Sequence, residues 1–388
     1  MDVEEDSPTC DFKDTALLHI RKVIPNIVVP LGVTQVPPNL GDPKHGKLKA
    51  SEWHSLFATY LPLSLLDFFW DDPASGPKSG QAKMLLNFSS LVICTNIVSK
   101  KGVTNRNCDE LAEAYMLYSE TAKDVFNSPK VTPNHHYALH LPDQLRWWGP
   151  LANVSEFSGE RINGMLQRIQ TNGLIGKMEG TMMREFCQVQ RFVSRTSGWS
   201  LHKEVEQQAG QPKRSARLVE VHPDFYAAMF EKLRFEDQAL RNYKDGPHGD
   251  EANVLSRYVT QEASVRCSGN LYISKSKQNR MVVYHKGGQT HHGIVTHIYG
   301  LPDFGGRILV GVKKMVEMGT VGESWVATLR DLGLHLTQVV DDYEVLDPCE
   351  VNGVCAYRHL PAWTFRVASP LVLLRPIPRD VYSVLIKC

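Results

Sequence analysis

Met281-Val-Val-Tyr-His-Lys-Gly-Gly-Gln-Thr-His-His-Gly-Ile-Val-Thr-His-Ile-Tyr299 decides the fold class of this chain. Two runs rich in β-branched and aromatic residues, Met281–Tyr284 and Gly293–Tyr299, stand on either side of a Gly-Gly pair, which is the composition of strands joined by a turn. The same signal begins near Asn270 and continues through Ile308–Val312, Tyr343–Leu346, Trp363–Val367 and Leu371–Leu374. A small barrel or sandwich houses short strands of this kind, so residues 266–388 are expected to form a β-rich, barrel-like domain. Within it, His291-His-Gly and the Lys313-Lys pair carry no site signature.

Upstream the period changes from two to 3.6. From Ser51 to Phe69, Trp53, Leu56, Phe57, Tyr60 and Leu61 recur three and four apart, and Ser51 is a suitable N-cap. Further helices are expected over Gln81–Ser99, Asn107–Phe126, Gly159–Ile169 and Glu179–Arg195, with a short one opened by Thr132-Pro133 and closed by Pro142. Residues 46–199 therefore read as a helical body. The first 45 residues hold one helical candidate, Thr15–Val23, and then repeated prolines that favour an irregular arm. Residues 200–265 read as a polar linker followed by a helical segment over 223–262, with Phe225, Met229, Phe230 and Leu233 on one face. The fold class is α+β: a mostly α-helical N-terminal body, then the small β-rich domain.

The bulk numbers narrow the function classes. With 388 residues, two or three compact units are expected. At 42% hydrophobic and 22% charged residues the composition is that of a globular protein. No apolar run approaches the roughly 20 residues needed to cross a bilayer, so no membrane partner is expected. The acidic start, Met1-Asp-Val-Glu-Glu-Asp, lacks the zones of a signal peptide, which argues against secretion. Eight dispersed cysteines without a C-x-x-C pair suit a reducing compartment. A net charge of +1 means that any nucleic-acid contact must come from a local patch. The basic stretch from Lys203 to Arg217 reads better as a linker.

Three stretches together resemble one family. Pro37-Pro-Asn-Leu-Gly with Gly46-Lys-Leu-Lys-Ala-Ser-Glu-Trp-His-Ser-Leu-Phe is similar to a helical segment of CACTA-type (En/Spm-like) DNA transposases of the kind found in mushroom-forming fungi. Asn134-His-His-Tyr-Ala-Leu-His-Leu-Pro-Asp-Gln-Leu-Arg-Trp-Trp-Gly-Pro-Leu resembles the family's histidine and Gly-Pro stretch. Glu156-Phe-Ser-Gly-Glu-Arg-Ile-Asn-Gly-Met-Leu-Gln, continuing into Met178-Glu-Gly-Thr-Met-Met-Arg-Glu-Phe, is similar to its Phe-Glu-Arg helix and the segment after it. The resemblance covers roughly residues 30–195 and rests on order and co-occurrence.

What this implies is a helical insertion and the end of a ribonuclease H-like core, in which three carboxylates hold two Mg²⁺ ions for cut-and-paste strand transfer. By position Glu160 matches the last acid, with Glu156 a second candidate; an ordinary glutamate at a helix start is the competing reading. No run of strands carrying the two aspartates precedes the helical body. The resemblance therefore implies an incomplete, transposase-derived fragment, inactive alone, nuclear if functional and otherwise cytoplasmic. DNA, another copy of the chain or an upstream transposase half would be its partners, with no small-molecule substrate. Arg146, Arg161, Arg168 and Arg184 are the candidate phosphate contacts. His136 and His140, four apart, with His54, form a candidate metal set, against the commoner outcome of hydrogen-bonded histidines between helices. Trp147 and Trp148 could stack on a base, although packing at the loop is the favoured reading. The alternative function is a domesticated protein- or chromatin-interaction module without catalysis.

Overall fold

The computed structural model describes residues 11–126, 129–151, 157–171, 173–174, 176–198, 218–249, 252–267, 271–318 and 322–378. The chain is α+β, and its compact units follow contacts rather than chain order. Residues up to 150 and those from 218 onward form one unit, and residues from 151 up to 217 form a second.

In the first unit α1 (Asp11–Val23) leads through a 3₁₀ turn into β1 (Ile27–Val28). Helix α1 takes in the expected Thr15–Val23, and the proline-rich stretch after it supplies the two-residue strand β1. A continuous helical run follows: α2 (Ala50–Ser55), a π-helical turn (Leu56–Tyr60) and α3 (Leu61–Phe69). Its cap is not Ser51. Lys49 occupies that place, and its backbone N–H donates to Glu52 Oε2 at 2.7 Å. The wider π turn rotates the apolar stripe, so Leu56, Tyr60 and Leu61 are buried while Trp53 is 49% exposed. Helix α3 is apolar almost all round, as a helix buried on every side must be; Leu63, Leu66 and Phe69 are fully enclosed.

Helices α4 (Ala82–Val98) and α5 (Asn105–Val125) pack together, and α6 (Pro133–Ala138) and α7 (Leu141–Trp148) follow. Beyond the second unit come β2 (Leu218–Glu220) and α10 (Pro223–Glu236), after α8 (Phe157–Gln167) and α9 (Met178–Gly198) of that unit. The helical reading of 223–262 holds only as far as Glu236. After it come the short strands β3 (Arg241–Asn242), β4 (Val254–Leu255) and β5 (Tyr258–Gln261), which lack the sustained 3.6 period that makes α10 legible.

The β-rich region contains β6 (Ser264–Arg266), β7 (Tyr272–Ser274), β8 (Met281–Lys286), β9 (Gln289–Leu301), β10 (Arg307–Glu317), α11 (Glu323–Leu332), β11 (His335–Leu346), β12 (Val351–Leu360) and β13 (Leu371–Pro378). The main sheet runs β1-β12-β13-β11-β10-β9-β5-β2, and β8 pairs with both β12 and β9. All these pairings are antiparallel, and following partners from β12 through β13, β11, β10, β9 and β8 leads back to β12. Trp363–Val367, expected as a strand, is instead a tight turn in which Trp363, Phe365 and Arg366 all take positive φ.

One apolar core joins the helices to this sheet. It takes Ile20, Leu56, Leu63, Leu66 and Phe69 from the helical side and Val282, Val310, Leu336, Val354 and Leu373 from the strands. Two arginines, Arg358 buried and Arg375 half-buried, clamp the halves together. Arg358 on β12 donates to Asp67 Oδ1 and Oδ2 at 2.8 and 2.7 Å and to the Leu63 carbonyl at 3.0 Å. Arg375 on β13 donates to the carbonyls of Ala58 and Gly333 at 2.8 and 3.0 Å and to Asn96 Oδ1 at 2.7 Å. Burial pushes the Arg375 guanidinium down to about 10. At the other end of the sheet, Phe225 of α10 lies where a Cβ on Gly311 would come within 2.7 Å of its ring, so that contact requires glycine.

Candidate functional site

Glu156 lies outside the described residues. Glu160 stands in the first turn of α8 and Arg161 just after it, and the side chains of both lie outside the described ones. Arg168 follows α8 and Arg184 lies on α9; both are exposed, and Arg184 Nη2 is 3.4 Å from Thr181 Oγ1. Arg146 belongs to the first unit, on α7. Its guanidinium donates to Asp143 Oδ1 at 2.9 Å and to Asp109. Two carboxylates of the same unit thus answer the charge of Arg146.

The expected histidine set does not assemble. His136 on α6 and His140 in the turn before α7 face each other, Nε2 to Nε2 at 3.5 Å, and both are exposed. His54 lies in α2, its Nε2 buried without a partner, and burial first and then Arg375 lower its pKa. His54 does not join the other two in any cluster of ligand atoms within 4.8 Å of one another. The tryptophans also depart from the favoured reading: α7 buries Pro142 and Leu145, whereas Trp147 and Trp148, at its end, are 73% and 58% exposed.

A different set is brought together by strand pairing. His292 on β9 sits opposite Met315 on β10, Glu317 sits opposite Thr337 on β11, and His335 lies two residues before Thr337. Because side chains alternate faces with a period of two, His292, Glu317 and His335 all project from the same face of three neighbouring strands. His335 Nδ1 is 2.6 Å from Glu317 Oε1, and His292 Nδ1 is 3.7 Å from the same oxygen. The two imidazole centroids are 4.6 Å apart. Among the described residues this is the only group of three or more His, Cys, Asp or Glu side chains with ligand atoms all within 4.8 Å of one another.

The three differ sharply in surroundings. His292 is 2% exposed, and its Nε2 is buried without a partner. Burial, and secondly the neighbouring His335, push its pKa down to about 4, so the ring is neutral at neutral pH. The Glu317 side chain is 58% exposed, and the hydrogen bond to His335 holds its carboxyl below the usual range. The face is continued by Met281, Val283, Met315, Cys355, Tyr357, Val372 and Leu374, a buried apolar cluster drawn from four strands. The group is thus a polar mouth on an apolar floor, with two nitrogen donors and one carboxylate. Nothing in the spacing of positions 292, 317 and 335 announces it. Only a correct register for β9, β10 and β11 would have revealed it, which is why His291-His-Gly read as featureless.

No helix among the described residues is long and apolar enough to cross a membrane. Compared with known proteins, the chain matches no family model, no curated protein and no solved structure.

Proposed function

We propose that this chain derives from a CACTA-type DNA transposase and associates with DNA through the α8–α9 segment without cutting strands by itself. The observation that carries this reading is the charge of that segment. Residues 157–198 hold Arg161, Arg168, Lys177, Arg184, Arg191 and Arg195 against Glu160, Glu179 and Glu185, a net of +3, whereas all 388 residues sum to +1. Residues 157–167 and 178–186 of the family-like stretch fall on helices, and Arg184 and Arg191, seven residues apart on α9, fall on nearly the same side. Arginine bonds phosphate oxygens bidentately, which suits such a stripe to a nucleic-acid backbone.

In this reading Glu160 is the closing acid of a three-carboxylate Mg²⁺ site, with Glu156 its alternate, and the two aspartates come from a longer protein or an upstream half. The cyclic strand pairing of β8–β13 is a small barrel serving as an accessory module, and the protein acts in the nucleus. A second reading has one observation in its favour. Met116 and Leu139, both more than half exposed, line an open groove of about 310 Å³ with Tyr115 and Pro142, a surface suited to a protein partner.

Fluorescence anisotropy with a labelled DNA duplex between 50 and 200 mM salt separates the two. Transposase descent predicts binding that weakens steeply with salt, with a slope that becomes shallower by about 1 for each of Arg184→Gln and Arg191→Gln. Absence of binding, or binding indifferent to salt, would overturn it in favour of the interaction module.

A further inference from the structure

We propose that His292, Glu317 and His335 bind one divalent transition-metal ion, with Zn²⁺ the best fit. The inference is independent of any role in DNA binding.

The donor chemistry selects the ion. Two imidazole nitrogens and one carboxylate oxygen are ligands for zinc and its neighbours, whereas Ca²⁺ and Mg²⁺ require sets made mostly of oxygen. The geometry is close to what coordination needs. Zinc bonds of about 2.0–2.1 Å in a tetrahedron place neighbouring ligand atoms about 3.3 Å apart. The present separations from Glu317 Oε1, 2.6 Å to His335 Nδ1 and 3.7 Å to His292 Nδ1, lie on either side of that figure. An ion at the centre would push the first pair apart by about 0.7 Å and draw the second together by about 0.4 Å, which side-chain torsions supply without moving a strand.

His292 makes the case more than a surface ion pair would. A carboxylate is satisfied by one imidazole, and His335 already provides it. Yet a second imidazole is buried beside the same oxygen at a distance too long for a hydrogen bond. Its Nε2 has no partner, so Nδ1, the nitrogen facing Glu317, is the one through which this ring meets polar atoms. Burying an imidazole without a hydrogen bond is costly, and an aliphatic residue would suit the apolar floor of Met315, Val283 and Leu374 better. Coordination through Nδ1 would give this ring a polar partner, with its proton held on Nε2. With Glu317 on the solvent side, a fourth position is left open to water.

The test uses the whole chain, stripped of metal with a chelator, and isothermal titration with ZnCl₂ alone, supported by the visible spectrum of the Co²⁺ form. The exposed His136–His140 pair is removed first, as His136→Ala with His140→Ala, so that it cannot supply the signal. This parent should bind one equivalent of Zn²⁺ and give the intense absorption of four-coordinate Co²⁺. In that background Glu317→Gln and His335→Ala, both at solvent-accessible positions, should weaken binding by about a hundredfold, at least the cost of losing an outer-shell partner. Circular dichroism matching the parent shows that each variant is folded. His292→Ala should abolish the Co²⁺ spectrum, but the proposal is decided by the two accessible positions. It is overturned if the parent takes up no zinc, or if folded Glu317→Gln and His335→Ala proteins bind it as tightly as the parent does.

Discussion

Replacing Asp67 by Asn tests whether the helical run and the sheet are held together by the buried ion pair between α3 and β12. The carboxylate receives both Arg358 terminal nitrogens, at 2.8 and 2.7 Å, and His19 Nε2 lies 3.4 Å from Oδ1. Burial by itself would raise the Asp67 pKa, but the hydrogen bonds from His19 and Arg358, with their charges, bring it from 3.8 down to about 2. At about 1.4 kcal/mol for each tenfold change, that drop corresponds to about 2.5 kcal/mol of stability at neutral pH. The asparagine variant also leaves the Arg358 guanidinium, 8% exposed, without a counter-charge. Breaking one side of a buried pair costs about 3–5 kcal/mol, so Asp67→Asn should lose about 3 kcal/mol in urea unfolding followed by tryptophan fluorescence. Trp70 and Trp325, packed edge to face at 5.1 Å near this joint, report on it. The pH dependence has a definite sign. Because the folded pKa lies below the unfolded one, the contribution is complete above about 4 and disappears as the pH falls through about 2. Other carboxylates titrate in the same range, so the quantity to follow is the difference between the wild type and Asp67→Asn. A difference below about 0.5 kcal/mol at pH 7, or one that stays constant down to pH 2, would refute the clamp.

Three further outcomes follow from single contacts. Arg375→Ala should lower stability by about 3 kcal/mol in thermal unfolding, since it leaves the Ala58 and Gly333 carbonyls and Asn96 Oδ1 without their donor; an unchanged melting temperature would contradict this. Gly311→Val should cost about 1–3 kcal/mol through collision with the Phe225 ring, and Phe225→Leu should recover part of the loss in a double-mutant cycle. Strict additivity would show that the two sites do not meet. Because Trp147 and Trp148 are largely exposed, Trp147→Ala and Trp148→Ala should each change stability by less than about 0.5 kcal/mol, where core anchors would cost several times more.

Helices α3, α4, α5 and α10 and strands β8, β9, β10 and β13 were legible because each carries its own repeat: three-and-four spacing of apolar residues in the helices, and β-branched runs bounded by glycine or proline in the strands. These signals are local, and burial on one or both faces follows from them. Where the pattern depended on a partner, the reading failed. Val351–Leu360 is buried on both faces and so shows no alternation that would mark it as a strand. Trp363–Val367 has strand composition but turns in a left-handed conformation. Trp147 and Trp148 look like core residues until α7 is seen to face inward through Pro142 and Leu145.

The sequence by itself determined the α+β class, the position of most helices and the acidic and basic residues of α8 and α9, because hydrophobic periodicity and charge are properties of neighbouring residues. Only the tertiary structure decided that stretches up to 150 and from 218 share one core, that Arg146 pairs with Asp109 and Asp143, and that His54 stands apart from His136 and His140. The same is true of the meeting of His292, Glu317 and His335. Their approach is set by hydrogen-bond register between three strands, and a slip of one residue in any strand would send its side chain to the opposite face.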